Sequence, residues 1–446
     1  MGPNGEEPRR LAVSEQESLF YLFTGLRWAP DGRRIAYLKL RPDSVEFAIE
    51  TRDLDGGPAT VIVSDPRIRD FCWAPDGRII YGLWESLNEA SSNLWEVRID
   101  PQTGRASGEP RRMTNWAGFL LYHLHISADG KRLTFVKRRN QSDVYLGELE
   151  ANGTRLKDPR RFTQDDRIDW PGGWTRDSKA ILFFSDRFGD LDIFKQGVKD
   201  RAPEGIVVGL DDKRAPQLSP DGSWILYLAW PKMESHAPPK TGRLMRVRVA
   251  GGSPEFVLEA RGYPGPAHVP RDNHLTIRGQ PAFRCPSLPT APCVLSELDQ
   301  KQIVFSAFDP VQGKKGEITR VDINPGNNTF WDLSPDGSRI AFGETDEYIG
   351  RLRILKLRGG AAREVTVKGW TNLDSVAWSA GGDYLFVTKW LSQGGSLLRV
   401  DLTGAAQPLR KAIMHIERPI PSPDGRYLAF GEVSSESNAW MIENLR

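Results

Sequence analysis

One short motif recurs along the 446-residue chain and constrains its fold more than any other feature. Trp28-Ala-Pro-Asp-Gly-Arg-Arg-Ile-Ala-Tyr-Leu38 returns as Trp73-Ala-Pro-Asp-Gly-Arg-Ile-Ile-Tyr81, Leu218-Ser-Pro-Asp-Gly222, Leu333-Ser-Pro-Asp-Gly337 and Pro421-Ser-Pro-Asp-Gly425. Looser copies are Ile126-Ser-Ala-Asp-Gly130, Trp174-Thr-Arg-Asp-Ser178 and Trp378-Ser-Ala-Gly-Gly382. The turn positions are Asp31, Asp76, Asp129, Asp177, Asp221, Asp336, Gly381 and Asp424, with gaps of 45, 53, 48, 44, 115, 45 and 43 residues. Pro presets φ, Asp bonds to its own backbone and Gly accepts a positive φ, so each copy is a tight turn. A short strand precedes it, and an alternating strand such as Arg34-Ile-Ala-Tyr-Leu38 follows.

A third strand and a fourth complete the unit, as in Asn93-Leu-Trp-Glu-Val-Arg98 and Pro110-Arg-Arg-Met-Thr114. Four strands per ~45 residues is the period of a β-propeller blade. The expected fold is an all-β, closed propeller of four-stranded antiparallel blades, one domain over residues 1–446. The long gap holds an irregular blade over 261–330, with strands expected near Phe283–Cys285, Cys293–Glu297, Gln302–Phe308 and Glu317–Asp322. That count favours nine blades; eight is the alternative if part of 263–319 is an insertion. The last unit lacks a fourth strand. Glu7-Pro-Arg-Arg-Leu11 resembles the fourth-strand segments Glu109-Pro-Arg-Arg-Met113 and Asp158-Pro-Arg-Arg-Phe162, so residues 1–13 are expected to complete it.

These repeats resemble those of TolB-type propellers, also present in tricorn protease and in prolyl-oligopeptidase-like enzymes. The Pro-Asp-Gly turn and the Ile/Leu-Ala-Phe/Tyr strand carry the likeness over nearly the whole chain. It implies the fold, but such propellers serve as binding platforms, gates and enzymes alike. Phe184-Ser-Asp-Arg-Phe-Gly-Asp-Leu-Asp-Ile-Phe-Lys-Gln196, Phe305-Ser-Ala-Phe-Asp-Pro310, Val367-Lys-Gly-Trp370 and Trp440-Met-Ile-Glu-Asn444 further resemble the C-terminal propellers of acidobacterial-type serine/threonine kinases and winged-helix regulators. That resemblance implies a sensing or docking module of a larger bacterial signalling protein. The kinase's glycine-rich loop and His-Arg-Asp motif are missing from this sequence.

Composition narrows the partners. Sixty basic against 58 acidic side chains leave no general positive field, so no nucleic-acid partner is expected. The longest apolar runs, such as Trp224–Trp230, fall far short of the ~20 residues of a membrane helix.

Catalytic signatures are sparse. No Gly-x-Ser-x-Gly elbow occurs, so an intrinsic peptidase is not expected. His123 and His125 alternate onto one face of a first strand, which admits a channel-sited, metal-dependent lyase or lactonase as the alternative function. No metal motif completes the pair. Asp186–Asp192 lacks calcium-loop spacing and reads as a hairpin turn. Cys285 and Cys293 flank a three-proline loop on neighbouring strands and are candidates for a disulfide, which would place the chain in the periplasm or another oxidising compartment. With reduced thiols the cytoplasm remains open.

First strands line a propeller's channel. Residues four or six before the turn are therefore the candidate ligand-binding groups: Arg27, Asp70, His123, His125, Gln217, Asp332 and Arg418. The expected function is a non-catalytic binding or sensing module without cofactor, monomeric, taking a protein, peptide or small ligand. A propeller gate for a separate hydrolase is a third reading.

Overall fold

A computed structural model of the chain describes residues 25–41, 46–85, 91–209, 211–231, 241–262, 281–324, 327–391, 394–413 and 415–445. Among these, regular structure is strand only, in antiparallel meanders. The recurring turn is built as its residues dictate. The turn Asp Oδ1 accepts the amide two residues on, as in Asp31 to Arg33 at 2.9 Å and Asp336 to Ser338 at 3.1 Å. The next residue adopts a left-handed φ, +68° at Gly32 and +69° at Gly337. Ser178 holds the same conformation without being glycine, and its Oγ accepts the Asp424 amide of another turn.

The chain divides into two compact units, where the turn spacing alone suggested one domain over 1–446. One unit comprises residues 1–140, 234–238 and 435–446; the other comprises 141–233 and 239–434. In the first, a four-stranded sheet over 27–65 packs on a second over 68–112 through Phe71, Trp73, Tyr81 and Ile49. The second sheet packs on the strand Leu120–Ile126 and its neighbours through Cys72, Leu121, Leu133 and Phe135.

The second unit is a closed ring of six blades. Blade 1 spans 169–207, blade 2 212–261, blade 3 282–322, blade 4 329–366 and blade 5 373–412. Blade 6 joins residues 416–434 to 141–161. Six apolar cores alternate with the six blades and close the ring. Trp170 and Tyr227 fill the space between blades 1 and 2, and Leu226 and Phe283 that between 2 and 3. Phe305 and Trp331 join 3 to 4, and Leu352 and Trp378 join 4 to 5. Phe386 and Phe430 join 5 to 6, and Ala429 and Trp174 join 6 back to 1. Strand packing is tight enough to require glycine: a Cβ on Gly172 of blade 1 would stand 2.8 Å from the Pro216 carbonyl oxygen of blade 2.

Two strands depart from the repeat. Arg132–Glu150 and Tyr427–Glu443 each run unbroken where the repeat suggested two strands and a turn. No Gly or Pro lies between Arg132 and Leu146, and the turn-forming types that do occur there, Asn140, Ser142 and Asp143, stay within the strand. The residue spans of the two units divide both strands. In blade 6 the places beside Tyr427–Ser434 are consequently filled by 141–161, including the Asp158-Pro-Arg-Arg segment. The closure expected from residues 1–13 falls outside the described residues. The strands expected in 261–330 are present as Ala282–Arg284, Cys293–Asp299, Gln302–Asp309 and Gly313–Asp322, with 263–280 and 325–326 outside the described residues. Among the described residues eight sheets result. They become nine repeat units when the sheet containing the two long strands is counted as two.

Candidate functional site

A cavity of about 600 Å³ lies on the axis of the six-bladed ring. The first strand of every blade contributes to its wall. These strands have one unpaired edge and accept prolines that an inner strand would reject. Pro171, Pro216 and Pro419 stand in them, and at each the register with the second strand slips. The slip sets which side chains face the axis. In blade 2, Arg214 pairs with Leu228 and Gln217 with Leu226, so three steps on one strand match two on the other. Arg214 and Gln217 therefore share a face. In blade 6 the same slip puts Glu417 and Ile420 on one face.

Most of the wall's charges are held by neighbouring blades. Asp332 of blade 4 accepts Arg284 Nε of blade 3 at 3.0 Å and the Trp378 amide of blade 5 at 2.8 Å. Burial raises the Asp332 carboxyl pKa, against the pull of Arg284. Gln217 donates to the Phe283 carbonyl and accepts the Cys285 amide. Glu417 Oε1 accepts the Trp170 indole N–H of blade 1 at 2.7 Å. At the wall of blade 5, Asp374 lies 2.8 Å from Nε2 of the buried His415. Burial opposes a charge on that imidazole, but Asp374 more than offsets it, and the pKa is raised.

Arg418 differs. Its backbone φ is +49°, a left-handed value that costs a side-chain-bearing residue about 1–3 kcal/mol. Its nearest carboxylate oxygen, Glu417 Oε2, is 3.9 Å away, and its guanidinium lies 5.6 Å from the Phe184 ring centre. Arg214 and Arg284 lie near enough to feel its charge: burial depresses both pKa values, their carboxylate partners oppose this, and Arg418 depresses them further.

Gln217, Asp332 and Arg418 thus line one cavity. Arg27, Asp70, His123 and His125 belong to the other unit and line no part of it. There Arg27 approaches Asp70 at 3.8 Å, and Asp70 accepts the Leu124 amide at 2.9 Å. His123 has a φ of +54° at a register slip, which breaks the alternation that suggested a shared face with His125; both side chains are exposed. No group of three or more metal-binding side chains occurs among the described residues. The 186–191 segment is the turn between the second and third strands of blade 1. Cys285 and Cys293 are joined in a disulfide at the cavity rim.

Arg214, Arg284, Asp374 and Glu417 were not among the candidates. Three of them stand seven residues before their turn, a position that counting by strict alternation discards.

No protein-family profile matches the chain. Over 262 residues it is 25% identical to an uncharacterised protein of Agrobacterium fabrum, covering 56% of this chain and 80% of that protein. Over 128 residues it is 30% identical to the Tol-Pal system protein TolB of Wolinella succinogenes, covering 28% of this chain and 29% of TolB. The chain thus matches under a third of the length of that TolB. Among solved structures, TolB from Acinetobacter baumannii is 18% identical over 64% of this chain and 63% of its own, with a TM-score of 0.29. An oligogalacturonate lyase in complex with manganese is 12% identical over 91% and 88%, with a TM-score of 0.32. Repeats, sheets and TolB relatives agree on an all-β, TolB-like propeller fold. No helix among the described residues is long and apolar enough to cross a membrane.

Proposed function

We propose that this protein is a non-catalytic binding module that takes a peptide, a protein segment or a small ligand into the axial cavity of the six-bladed ring. The observation that carries this reading is the cavity wall. Asp332, Gln217 and Glu417 each bond to an adjacent blade, so the wall is rigid before any ligand arrives. About 600 Å³ suits a small molecule or a few residues of chain. The disulfide at its rim supports an extracytoplasmic setting, since such bonds persist in oxidising compartments. The likeness to regulator propellers supports a sensing role within a larger bacterial signalling protein.

Ser287, exposed at the rim, provides the test. Ser287→Trp should narrow the cavity mouth and leave the blades unchanged. Purified protein, screened by thermal shift and titration calorimetry against pools of short peptides and small metabolites, should bind members that the variant binds at least tenfold more weakly. Ligands that bind both proteins equally would place recognition elsewhere.

A further inference from the structure

We propose that Arg418, with the outer nitrogen of Arg284, forms a carboxylate-binding subsite in the axial cavity. The proposal rests on the cavity's being the binding site and names the chemistry it accepts. Every carboxylate along this stretch of wall already has a partner. Asp332 holds Arg284 Nε and the Trp378 amide, Glu417 holds the Trp170 indole, and Asp374 holds His415. Arg418 has no equivalent. Among the described residues it makes no hydrogen bond, and its only carboxylate neighbour is at 3.9 Å. Arg284 spends Nε on Asp332 and Nη1 on the Phe283 carbonyl, and among the described residues its Nη2 has no acceptor.

Three observations make this arrangement a site rather than a stray surface arginine. The Arg418 side chain is 32% exposed, and the space it faces is the cavity. Its backbone is held in the left-handed region directly before Pro419, a conformation that the surrounding blade must impose. The guanidinium carbon lies 5.6 Å from the Phe184 ring centre, within cation–π range, a contact that leaves its N–H donors to be satisfied. A planar fork of donors matches the two oxygens of a carboxylate in bidentate fashion. The carboxylates Asp332, Asp374 and Glu417 on the same wall work against a doubly charged phosphate, and a single carboxylate matches the one fork that Arg418 offers. The occupant is therefore a monoanionic carboxylate, supplied by a peptide's C-terminus, an acidic side chain or a small organic acid.

Titration calorimetry on the full chain tests this with four probes: a pool of free-acid tripeptides, the same pool amidated at the C-terminus, the amidated pool carrying one Asp or Glu, and butyrate. Wild type should bind at least one carboxylate probe ten- to a hundredfold more tightly than the neutral amidated pool. Arg418→Gln should remove that preference, and Arg418→Lys should restore only part of it, because it keeps the charge but not the fork. Whichever carboxylate probe retains the preference identifies the source. A melting curve of Arg418→Gln within a few degrees of wild type separates lost binding from lost folding. Equal binding of acid and neutral probes that is blocked by Ser287→Trp would overturn the carboxylate subsite and keep the cavity reading. Equal binding that Ser287→Trp leaves untouched would overturn both, and so would the absence of binding by every probe.

Discussion

Replacing Asp332 by Ala tests whether the ring's wall is organised as described. The carboxylate joins three blades: it sits in blade 4, accepts Arg284 of blade 3 and accepts the Trp378 amide of blade 5. Alanine leaves the Trp378 N–H without this acceptor and a largely buried guanidinium without its ion-pair partner. Breaking a buried pair from one side costs about 3–5 kcal/mol, and an orphaned amide about 1–3 kcal/mol. The Arg284 side chain is 29% exposed, so water recovers part of both losses, and about 3 kcal/mol is the expected net. At roughly 2 °C per kcal/mol for a domain of this size, the melting temperature should fall by about 6 °C. The double variant Arg284→Met/Asp332→Leu removes both charges together and should recover the ion-pair part of that loss but not the Trp378 amide's, because apolar groups of similar volume often replace a buried pair without penalty. Thermal unfolding followed by near-ultraviolet circular dichroism reads both. A single variant within 1 °C of wild type, or a double variant less stable than the single, would refute the reasoning.

Three further outcomes are expected. Burial pushes the Asp143 carboxyl up to about 6 despite Arg161, and burial together with the Asp165 charge raises that of Asp169. The folded state then keeps protons that the unfolded chain releases near pH 4, so stability should fall as pH rises from 4 to 6, by at most about 3 kcal/mol for Asp143; a pH series of melting curves should flatten over that window in Asp143→Asn. Reducing Cys285–Cys293, whose partners are eight residues apart, should cost about 2.5 kcal/mol in the chain-entropy estimate, and a melting curve unchanged by a phosphine reductant would contradict it. Gly172→Val should destabilise by about 1–3 kcal/mol, because its side chain meets the Pro216 carbonyl of the next blade; urea midpoints of the two proteins measure this.

Local chemistry was legible in the sequence because it is local. The Pro-Asp-Gly turns close as their residues dictate, and Ser or Thr two residues before the Asp adds a bond to its carboxylate, as at Ser334 and Ser422. That bonding outweighs burial and lowers the carboxyl pKa, to about 2 at Asp336. The grouping of the repeats was not legible. A period of 43–53 residues counts blades but does not say which blades share a ring. The two strands that change that grouping, Arg132–Glu150 and Tyr427–Glu443, hold turn-forming types such as Asn140, Asp143, Gly431 and Asn438 and run on through them, so local sequence does not mark them.

The candidate site was half legible for a related reason. Counting back four or six residues from the turn assumes a strict period of two, and it found Gln217, Asp332 and Arg418. It missed Arg214 and Glu417 because a slipped strand has an extra residue, which brings positions four and seven onto one face. A signal for this does exist in the sequence. A proline inside a first strand removes a ladder donor, and Pro216 and Pro419 each follow directly on a residue in the left-handed region, Ala215 and Arg418. The regular part of the repeat builds the ring, while these irregular steps aim polar side chains along its axis. The side chains that the slipped registers turn toward the axis therefore lie where the repeat is broken, and Arg418, at such a break and without a hydrogen-bond partner among the described residues, is the residue at which we propose that ligand selectivity is set.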